Sequence, residues 1–272
     1  MTDFELWELG WRLIKSSKEG NHELTNFQFD SLRNETKTID KKYLLPGLKA
    51  KYELGKDKEI TEVLSSTTEE TLKDVCIKQF LHGYGACKGY EIEKVENRDL
   101  QIELVKMYIN DQYVRSNLMV EILDRYDLKK EEVIIDSFGV NTDERNRIRL
   151  DGIIEEYGFP TKMLVGKDAM DGVFYIIQHS DDAEWQKLQL PNIRMAVERG
   201  DIDSQDYGYL YDRVMLRTGR KQLYGTQFVN VDTVNRVVDL AETEDLENLD
   251  KRRMELGMMP IRMYEEIILE NW

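Results

Sequence analysis

The sequence predicts a mainly α-helical protein: a multi-helix bundle with one short β-hairpin near residues 226–239 and an N-terminal helical extension. Three observations support this fold class. Apolar residues recur at helical spacing along most of the chain, and only four prolines interrupt its 272 residues. Capping residues and glycines also stand at both ends of the periodic stretches, where helices begin and end.

Residues 1–95 form the predicted extension. Trp7 and Trp11 lie on the apolar face of an amphipathic helix. Residues 31–62 are rich in lysine and glutamate with weak periodicity, whereas residues 67–85 begin with a threonine cap and end in glycines. We expect this extension to pack on the rest of the chain or to bind a protein partner.

Residues 96–272 form the predicted second domain, where the helical signals are sharper. The expected elements are a long helix at 98–126, helices at 142–158, 167–180, 181–190, 191–200 and 204–219, the hairpin, and terminal helices at 249–257 and 260–270. The helix at 167–180 is apolar nearly all round, so we expect it to be buried.

The composition argues against several classes of function. A formal net charge of −15 disfavours nucleic-acid binding, because phosphate contacts require clustered lysine and arginine. No stretch approaches the roughly 18 consecutive apolar residues of a membrane span, and residues 1–17 carry acidic groups where a signal peptide would be basic. The sequence therefore predicts a soluble cytoplasmic protein that binds neither nucleic acid nor membranes.

Cysteine and histidine are too sparse for the common metal sites. Cys76 and Cys87 have the spacing of neither a redox nor a zinc motif, and we expect two small free side chains in or beside helices. The three histidines are scattered, so no histidine-rich metal site is predicted. A magnesium site built from carboxylates alone stays open.

Several helices place polar side chains within an apolar face. Asp111 and Arg115 do so on the helix at 98–126, and Asn146 shares the stripe of Leu150 on the next helix. On the helix at 204–219, the outward stripe is expected to consist of Asp206, Arg213 and Arg217, with Asp212 on the inward side.

The buried helix at 167–180 ends in Gln178 and His179. Tyr175 and Gly172 lie one and two turns before His179 on the same side, and the absent side chain of Gly172 leaves room for a neighbour or a ligand. Burial of unpaired charged groups is costly, so we expect the inward polar groups to converge on one pocket. The converging set is Asp111, Arg115, Asp143, Asn146, Gln178, His179 and Asp212.

Structural alternatives exist for each of these residues. Asp111 and Arg115 are spaced i, i+4 and could simply neutralise each other. His179 could be a satisfied core histidine, and Asp212 could cap a neighbouring loop. A buried polar network that only specifies the fold therefore competes with a functional pocket.

The loop at 219–228, GRKQLYGTQF, is a second unusual stretch, and its Gly225 can take a positive φ. Its polar side chains are Gln222, Tyr224, Thr226 and Gln227. They could line the mouth of a pocket; the alternative is a turn whose side chains satisfy its own backbone.

Six stretches in one order resemble a bacterial domain family of unknown function. They are MYINDQYVR (107–115), DERNRIRLDGIIEEYGFP (143–160), LVGKDAMDGVFYIIQHSD (164–181), YLYDRV (209–214), QLYGTQF (222–228) and LDKRRMELGMMPIRMY (249–264). The family shares D-Q-x-x-R, G-W-P-T, Q-H-A-D, D-R-V and Q-x-Y-G-T-Q motifs, and the resemblance covers about residues 98–268. Phe159 replaces the usual tryptophan, and Ser180 replaces the usual alanine.

The resemblance implies a shared residue pattern but no chemistry, because the family has no established activity. The residues that it implies belong to this pattern are Asp111, Arg115, Gln178, His179, Asp212, Arg213, Gln222, Tyr224, Thr226 and Gln227. Residues 1–95 lie outside the resemblance.

The first functional expectation is an enzyme that acts by hydrolysis or group transfer on a small polar or peptide-like substrate. His179 would be the general acid or base, oriented by Asp212 or Asp111. The expected catalytic residues are His179, Asp212 and Asp111, and the expected substrate-binding residues are Arg115, Asn146, Gln178, Arg213, Gln222, Tyr224, Thr226 and Gln227. Arg115 would hold an anionic group of the substrate. No nicotinamide, flavin or haem signature is visible, so the cofactor stays unknown.

The alternative is an interaction protein with a purely structural polar network. Its acidic surface and residues 1–95 would neutralise a basic protein partner, as an antidote neutralises a toxin. An open cavity lined by the inward polar residues would favour the enzyme, and a sealed, mutually paired network would favour the interaction protein.

Overall fold

The computed structural model divides the chain into two compact units, Met1–Glu93 and Lys94–Trp272. It describes residues 1–36, 39–90, 93–113, 119–129, 133 and 142–271. The protein is mainly helical with one short hairpin, which confirms the predicted fold class. In the described part of the chain, no helix is both long and apolar enough to cross a membrane.

The first unit packs its helices around an aliphatic and aromatic core. Its described helices are α1 (Asp3–Lys18), α2 (His22–Glu35), α3 (Lys41–Glu53), α4 (Asp57–Ser65) and α5 (Glu69–Val75), followed by 3₁₀ turns at Gln79–Leu81 and Gly85–Cys87. Phe29 and Leu48 are fully buried in this core. A side chain at Gly47 would overlap the Phe29 ring, so the glycine permits the close contact of α2 and α3.

A buried lysine links three of these helices. The Lys51 ammonium lies 2.7 Å from an Asp30 carboxylate oxygen, 2.6 Å from a Glu59 carboxylate oxygen and 2.9 Å from the Asn26 amide oxygen. Because a buried ammonium requires opposite charge and acceptors, this cluster compensates Lys51 and joins α2, α3 and α4.

The cysteines correct the sequence interpretation. Cys76 and Cys87 are fully buried, as expected of small core residues, but they are not free: they form a disulfide with a Cα–Cα separation of 5.2 Å. Spacing alone does not reveal the bond, because the two 3₁₀ turns between the cysteines fold the chain back on itself.

The second unit contains the predicted site residues. Its described elements are α6 (Arg98–Tyr113), α7 (Met119–Tyr126), α8 (Thr142–Tyr157), α9 (Lys162–Val165), α10 (Lys167–His179), α11 (Ala183–Glu198), α12 (Ser204–Arg217), β1 (Phe228–Asp232), β2 (Val237–Leu240), α13 (Leu249–Glu255) and α14 (Ile261–Asn271). The predicted long helix at 98–126 is described as α6 and α7, and residues 114–118 lie outside the described residues. The helices predicted at 181–190 and 191–200 form the single helix α11, which contains Pro191.

The buried helix α10 packs most extensively on α6. A Cβ atom at Gly172 would lie 2.7 Å from the Tyr108 Cβ and 3.2 Å from the Leu104 carbonyl oxygen. The space that the sequence predicts beside Gly172 is therefore filled by a neighbour, α6, and glycine is required for this approach of the two helices.

Helices α10 and α12 run in the same direction, with contacts at both ends. At their first turns, the Lys167 ammonium lies 3.8 Å from an Asp203 carboxylate oxygen. At their last turns, Arg217 donates hydrogen bonds of 2.9 Å to the Ser180 carbonyl and 2.6 Å to the Asp181 carbonyl. The intervening α11 packs on α12.

These contacts modify in part the prediction that Asp206, Arg213 and Arg217 form an outward stripe. Arg217 binds the end of α10 instead. Asp206 lies close enough to Asp171 and Lys167 for their charges to act on its carboxyl group. Arg217 is still exposed, as predicted, whereas Asp206 and Arg213 are partly buried, so the stripe lies at the boundary with solvent and contacts α10.

The antiparallel hairpin joins β1 to β2, with Asp232 opposite Val237 and an irregularity between Phe228 and Asn230. The prediction of a hairpin near 226–239 came from alternating apolar and polar residues, the usual signal of a short hairpin. The observed ladder confirms it.

Removal of the disulfide is expected to destabilise the protein. The bond closes a loop with a sequence separation of 11 residues. A loop of this size corresponds to about 2–3 kcal/mol. The double variant Cys76→Ser/Cys87→Ser should therefore unfold at lower urea concentration in circular dichroism. Reductant should lower the stability of the parent and leave the double variant unchanged; two alkylatable thiols in the unreduced, denatured parent would contradict the bond.

A second prediction concerns the pH dependence at Asp206. Burial and the neighbouring carboxylates Asp203 and Asp171 raise the pKa of Asp206 from 3.8 to about 7. The folded state therefore binds more protons than the unfolded state between these values, and this carboxyl lowers stability as the pH rises through that interval. Asp206→Asn should raise the melting temperature at about pH 8, with a gain that shrinks toward about pH 4. A gain independent of pH would contradict this assignment.

Candidate functional site

The centre of the candidate site is a hydrogen bond between Asp111 and His179. Asp111 lies near the end of α6 and His179 is the last residue of α10. The His179 Nδ1 lies 2.7 Å from one carboxylate oxygen of Asp111 and 3.0 Å from the other. The Asp111 side chain is 1% exposed and that of His179 is 19% exposed. The acid is thus buried, and the imidazole lies at the boundary with solvent.

The partners of Asp111 determine the orientation of the imidazole. The carboxylate also accepts a 2.8 Å hydrogen bond from the Gln112 amide. Because a carboxylate only accepts, Nδ1 must donate, and the neutral imidazole then carries its free lone pair on Nε2. Within the described residues, the hydrogen bonds of His179 are those from Nδ1 to Asp111.

An aromatic stack supports the other side of His179. Its ring lies 5.6 Å from the Tyr175 ring, and Tyr175 stacks on Tyr108 at 5.5 Å with an interplanar angle of 7°. Burial raises the pKa of both phenols, and that of Tyr175 is raised further by Asp206 and Asp171. The stack therefore connects His179 to the charged groups between α10 and α12.

Asn146 of α8 and Gln178 of α10 are buried, and each has a side-chain atom that makes no hydrogen bond within the described residues. Asn146 is 2% exposed and Gln178 is 8% exposed. Across the described ranges of the chain, the Asn146 Nδ2 and the Gln178 Oε1 have no hydrogen-bond partner. Such atoms are rare in protein interiors, and they are often explained by a ligand or by water.

A cleft lies between the start of α8 and the turn that follows His179. Its volume is about 280 Å³, and it is lined by Asp143, Glu144, Arg147, Ser180, Asp181 and Asp182. Four carboxylates and one guanidinium give the lining a negative charge, which favours ligands that bear cationic or hydrogen-bond-donating groups. Asp143 of the predicted set therefore lines an open cleft.

Asp212 lies in a different environment. Its fully buried carboxylate accepts hydrogen bonds of 2.8 Å from the Leu223 N–H, 3.0 Å from the Tyr224 N–H and 3.0 Å from the Thr226 N–H. Burial raises the pKa of Asp212, and these donors oppose the rise. Of the two predicted partners of His179, Asp111 makes the contact, whereas Asp212 caps the loop after α12.

The remaining loop residues also satisfy their own backbone. The buried Gln222 amide nitrogen lies 3.0 Å from the Gln227 carbonyl and 3.1 Å from the Ala241 carbonyl, and the Gln222 Oε1 accepts from the Gln227 N–H at 2.9 Å. The Gln227 amide donates to the Thr226 hydroxyl at 3.1 Å. Gly225 has a φ of 64°, as the sequence suggests.

Arg253 is an important residue that the sequence analysis does not single out. It is fully buried, and its guanidinium donates to the carbonyls of Tyr224 and Gly225 and, at 2.7 Å, to that of Met259. Nothing in the LDKRRMELG stretch separates it from Arg252 before the loop is folded. Together with Asp212 and Gln222 it forms the loop lock, the three side chains that fix residues 222–227.

The predicted residues therefore fall into two groups. Asp111 and His179 are in direct contact, Gln178 adjoins His179 in α10, and Asn146 belongs to α8, which packs on α10. Asp212, Gln222, Tyr224, Thr226 and Gln227 belong to the locked loop. Arg213 lies on α12 directly after Asp212, and Arg115 lies outside the described residues.

The loop lock predicts a specific loss of stability. Asp212→Asn replaces an acceptor by a donor that faces backbone N–H groups, and each lost hydrogen bond to a buried charge costs roughly 1.5–3 kcal/mol. We expect a loss of about 2–4 kcal/mol in urea unfolding. The control Asp239→Asn, in the exposed part of the hairpin, should be near neutral. Equal stability of both variants would contradict the lock.

Comparison with known proteins gives a family but no activity. The model of the Family of unknown function (DUF6624) matches residues 98–272. No curated protein and no solved structure matches the chain. The match spans most of the second unit, including the Asp111–His179 pair and the locked loop. The chain belongs to this family of unknown function.

Proposed function

We propose that the second unit is an enzyme in which His179 acts as general acid or base, held by Asp111. The observation that carries this proposal is the 2.7 Å contact between the His179 Nδ1 and a carboxylate that is almost completely buried. The arrangement of a buried carboxylate, an oriented imidazole and an available Nε2 is the one that acid–base enzymes use.

In this mechanism, Asp111 has two effects. It fixes the imidazole in the tautomer that leaves Nε2 able to accept a proton, and its negative charge stabilises the imidazolium formed after proton transfer. General acid–base catalysis of this kind contributes about 10²–10⁴-fold to a rate. Hydrolysis or group transfer on a small polar or peptide-like substrate fits this chemistry.

The cleft that follows His179 in the chain supports a small polar or peptide-like substrate. Ser180 follows His179 directly and lines the cleft together with Asp143 and Arg147. Amide and ammonium groups are the donors that its carboxylates would accept, and these groups occur in peptides and amino acids. Its volume of about 280 Å³ is close to the lower end of ordinary small-ligand sites.

A second candidate function, an interaction protein, is supported by the locked loop. Asp212 and Gln222 are buried and paired with backbone groups, and Arg253 binds backbone carbonyls through Nε and Nη1, as expected of a network that specifies the fold. In that case, the Asp111–His179 pair would also be structural, and the acidic chain, with its first unit, would bind a basic protein partner.

The proposed cytoplasmic location has one observation against it. Disulfides such as Cys76–Cys87 persist mainly in oxidising compartments. The disulfide therefore favours an oxidising compartment over the cytoplasm.

The test of the enzyme uses His179→Asn. An asparagine amide can still donate to Asp111, so the fold should be retained, whereas Nε2 is lost. A thermal-shift screen of amino acids, short peptides and nucleotides would first identify ligands, since binding raises the stability of the folded state. Turnover of each hit, followed by mass spectrometry, should fall by about 100-fold or more in His179→Asn.

Asp111→Asn provides the companion measurement. It keeps an acceptor for Nδ1 but removes the charge that stabilises the imidazolium, so turnover should fall while binding changes little. The exposed His82→Asn is the control and should match the parent. Unchanged turnover in His179→Asn would disprove the catalytic role, and the absence of any ligand or turnover in the parent would favour the interaction protein.

A further inference from the structure

We propose that Arg213 and Gln178 form a binding site for a small oxyanion that also carries a hydrogen-bond donor, such as hydrogen phosphate or a hydroxycarboxylate. The site lies between α10 and α12. The Gln178 backbone carbonyl, by contrast, accepts a hydrogen bond from Gln186 of α11. This inference deepens the proposed function, on which its relation to His179 rests, by adding an anionic group to the substrate.

Helices α10 and α12 each carry a stripe of polar residues, and side chains of the two stripes approach each other. On α10, Lys167, Asp171 and Gln178 lie within about 40° of one another on a helical wheel, and on α12 the same holds for Asp206, Arg213 and Arg217. Lys167 approaches Asp203, the residue before α12, and Arg217 binds the carbonyl that ends α10. The two stripes are in contact at both ends. Gln178 and Arg213 therefore face the space between α10 and α12, which we call the seam.

The height of Arg213 along the seam follows from helical geometry. It lies one turn before Arg217, about 6 Å lower along α12. Arg217 contacts Ser180, so Arg213 lies at the level of the last turn of α10, which contains Gln178 and His179. The aromatic ring of Tyr175 borders the same turn through its stack with His179.

The charges in the seam are compensated at one end only. At the lower end, Lys167 binds Asp171 at 2.8 Å and lies beside Asp203 and Asp206. At the upper end, in the described part of the chain, no carboxylate pairs with Arg213, and the charged group that acts on it is Arg217, a second cation. Burial and this like charge lower the pKa of Arg213. A partly buried guanidinium without an anion is energetically unfavourable, and a bound oxyanion would remove that cost.

The unused atoms specify the ligand further. The Arg213 Nε is buried and has no hydrogen-bond partner among the described residues, so it can donate to an anionic oxygen. The same holds for the buried Gln178 Oε1, which requires a donor. Hydrogen phosphate and glycolate each present an anionic oxygen beside an O–H group, whereas acetate lacks the donor.

The experiment measures binding of inorganic phosphate, glycolate and acetate at constant ionic strength. The Nε–H cross-peaks of arginine in ¹⁵N-labelled protein report directly on the unused atom. Phosphate or glycolate should produce a saturable shift of one cross-peak that is absent from the spectrum of Arg213→Lys. Acetate should bind more weakly than glycolate. The phosphate and glycolate arms distinguish a phosphorylated ligand from a carboxylic acid.

Two matched variants control for electrostatics. Arg213→Gln should weaken binding of the better anion by about tenfold or more, because a hydrogen bond to a charged group is lost. Arg220→Gln removes an exposed arginine of the same chain segment and should change binding by less than about twofold. Gln178→Leu should weaken glycolate more than acetate.

The outcomes separate this site from the proposed enzyme. His179→Asn should retain anion binding within about twofold, because Nε2 is not a ligand of the anion. Binding that survives Arg213→Gln, equal losses in Arg213→Gln and Arg220→Gln, or no saturable cross-peak shift with either anion would overturn the site. Anion binding without turnover would leave the site intact and remove only the catalytic proposal.

Discussion

The hydrogen bond between Asp111 and His179 is the interaction on which the second unit depends most. A carboxylate that is 1% exposed cannot remain ionised at low cost without donors, so the position of His179 relative to Asp111 constrains how α10 packs on α6. Gly172 permits this contact, because any side chain there would collide with Tyr108. The chemistry of the imidazole and the packing of two core helices are therefore determined together.

The other inward polar groups differ in how completely they are paired. In the locked loop, Asp212 and Gln222 use most of their hydrogen-bonding capacity on backbone groups, which is the behaviour of a structural network. Arg253 of the loop lock also keeps one buried atom, Nη2, without a partner among the described residues, but its Nε and Nη1 bind backbone carbonyls. Between α10 and α12, Gln178 keeps a buried acceptor without a partner, and the Arg213 guanidinium makes no hydrogen bond within the described residues. The difference in how many bonds the two guanidiniums make separates an arginine that maintains the fold from one available to a ligand.

Sequence patterns predict part of this arrangement well. Helical periodicity and capping identify the helices, and the inward position of Asp111 follows from its apolar neighbours on the wheel. A wheel gives a direction within one helix but not the element that it faces, which explains why Asp212 turned out to cap a loop. The partial burial of Arg213 does not follow from the wheel, because the charges of its stripe suggested solvent. The Cys76–Cys87 bond depends on turns that spacing does not reveal.

The most direct test of the central claim is the tautomer of His179, read from long-range ¹H–¹⁵N correlations of the imidazole at about pH 8, where an ordinary imidazole is neutral. If the buried carboxylate of Asp111 holds the ring as described, Nδ1 is protonated and Nε2 is not. A ring protonated on Nε2, or one that averages between the two tautomers, would contradict the account.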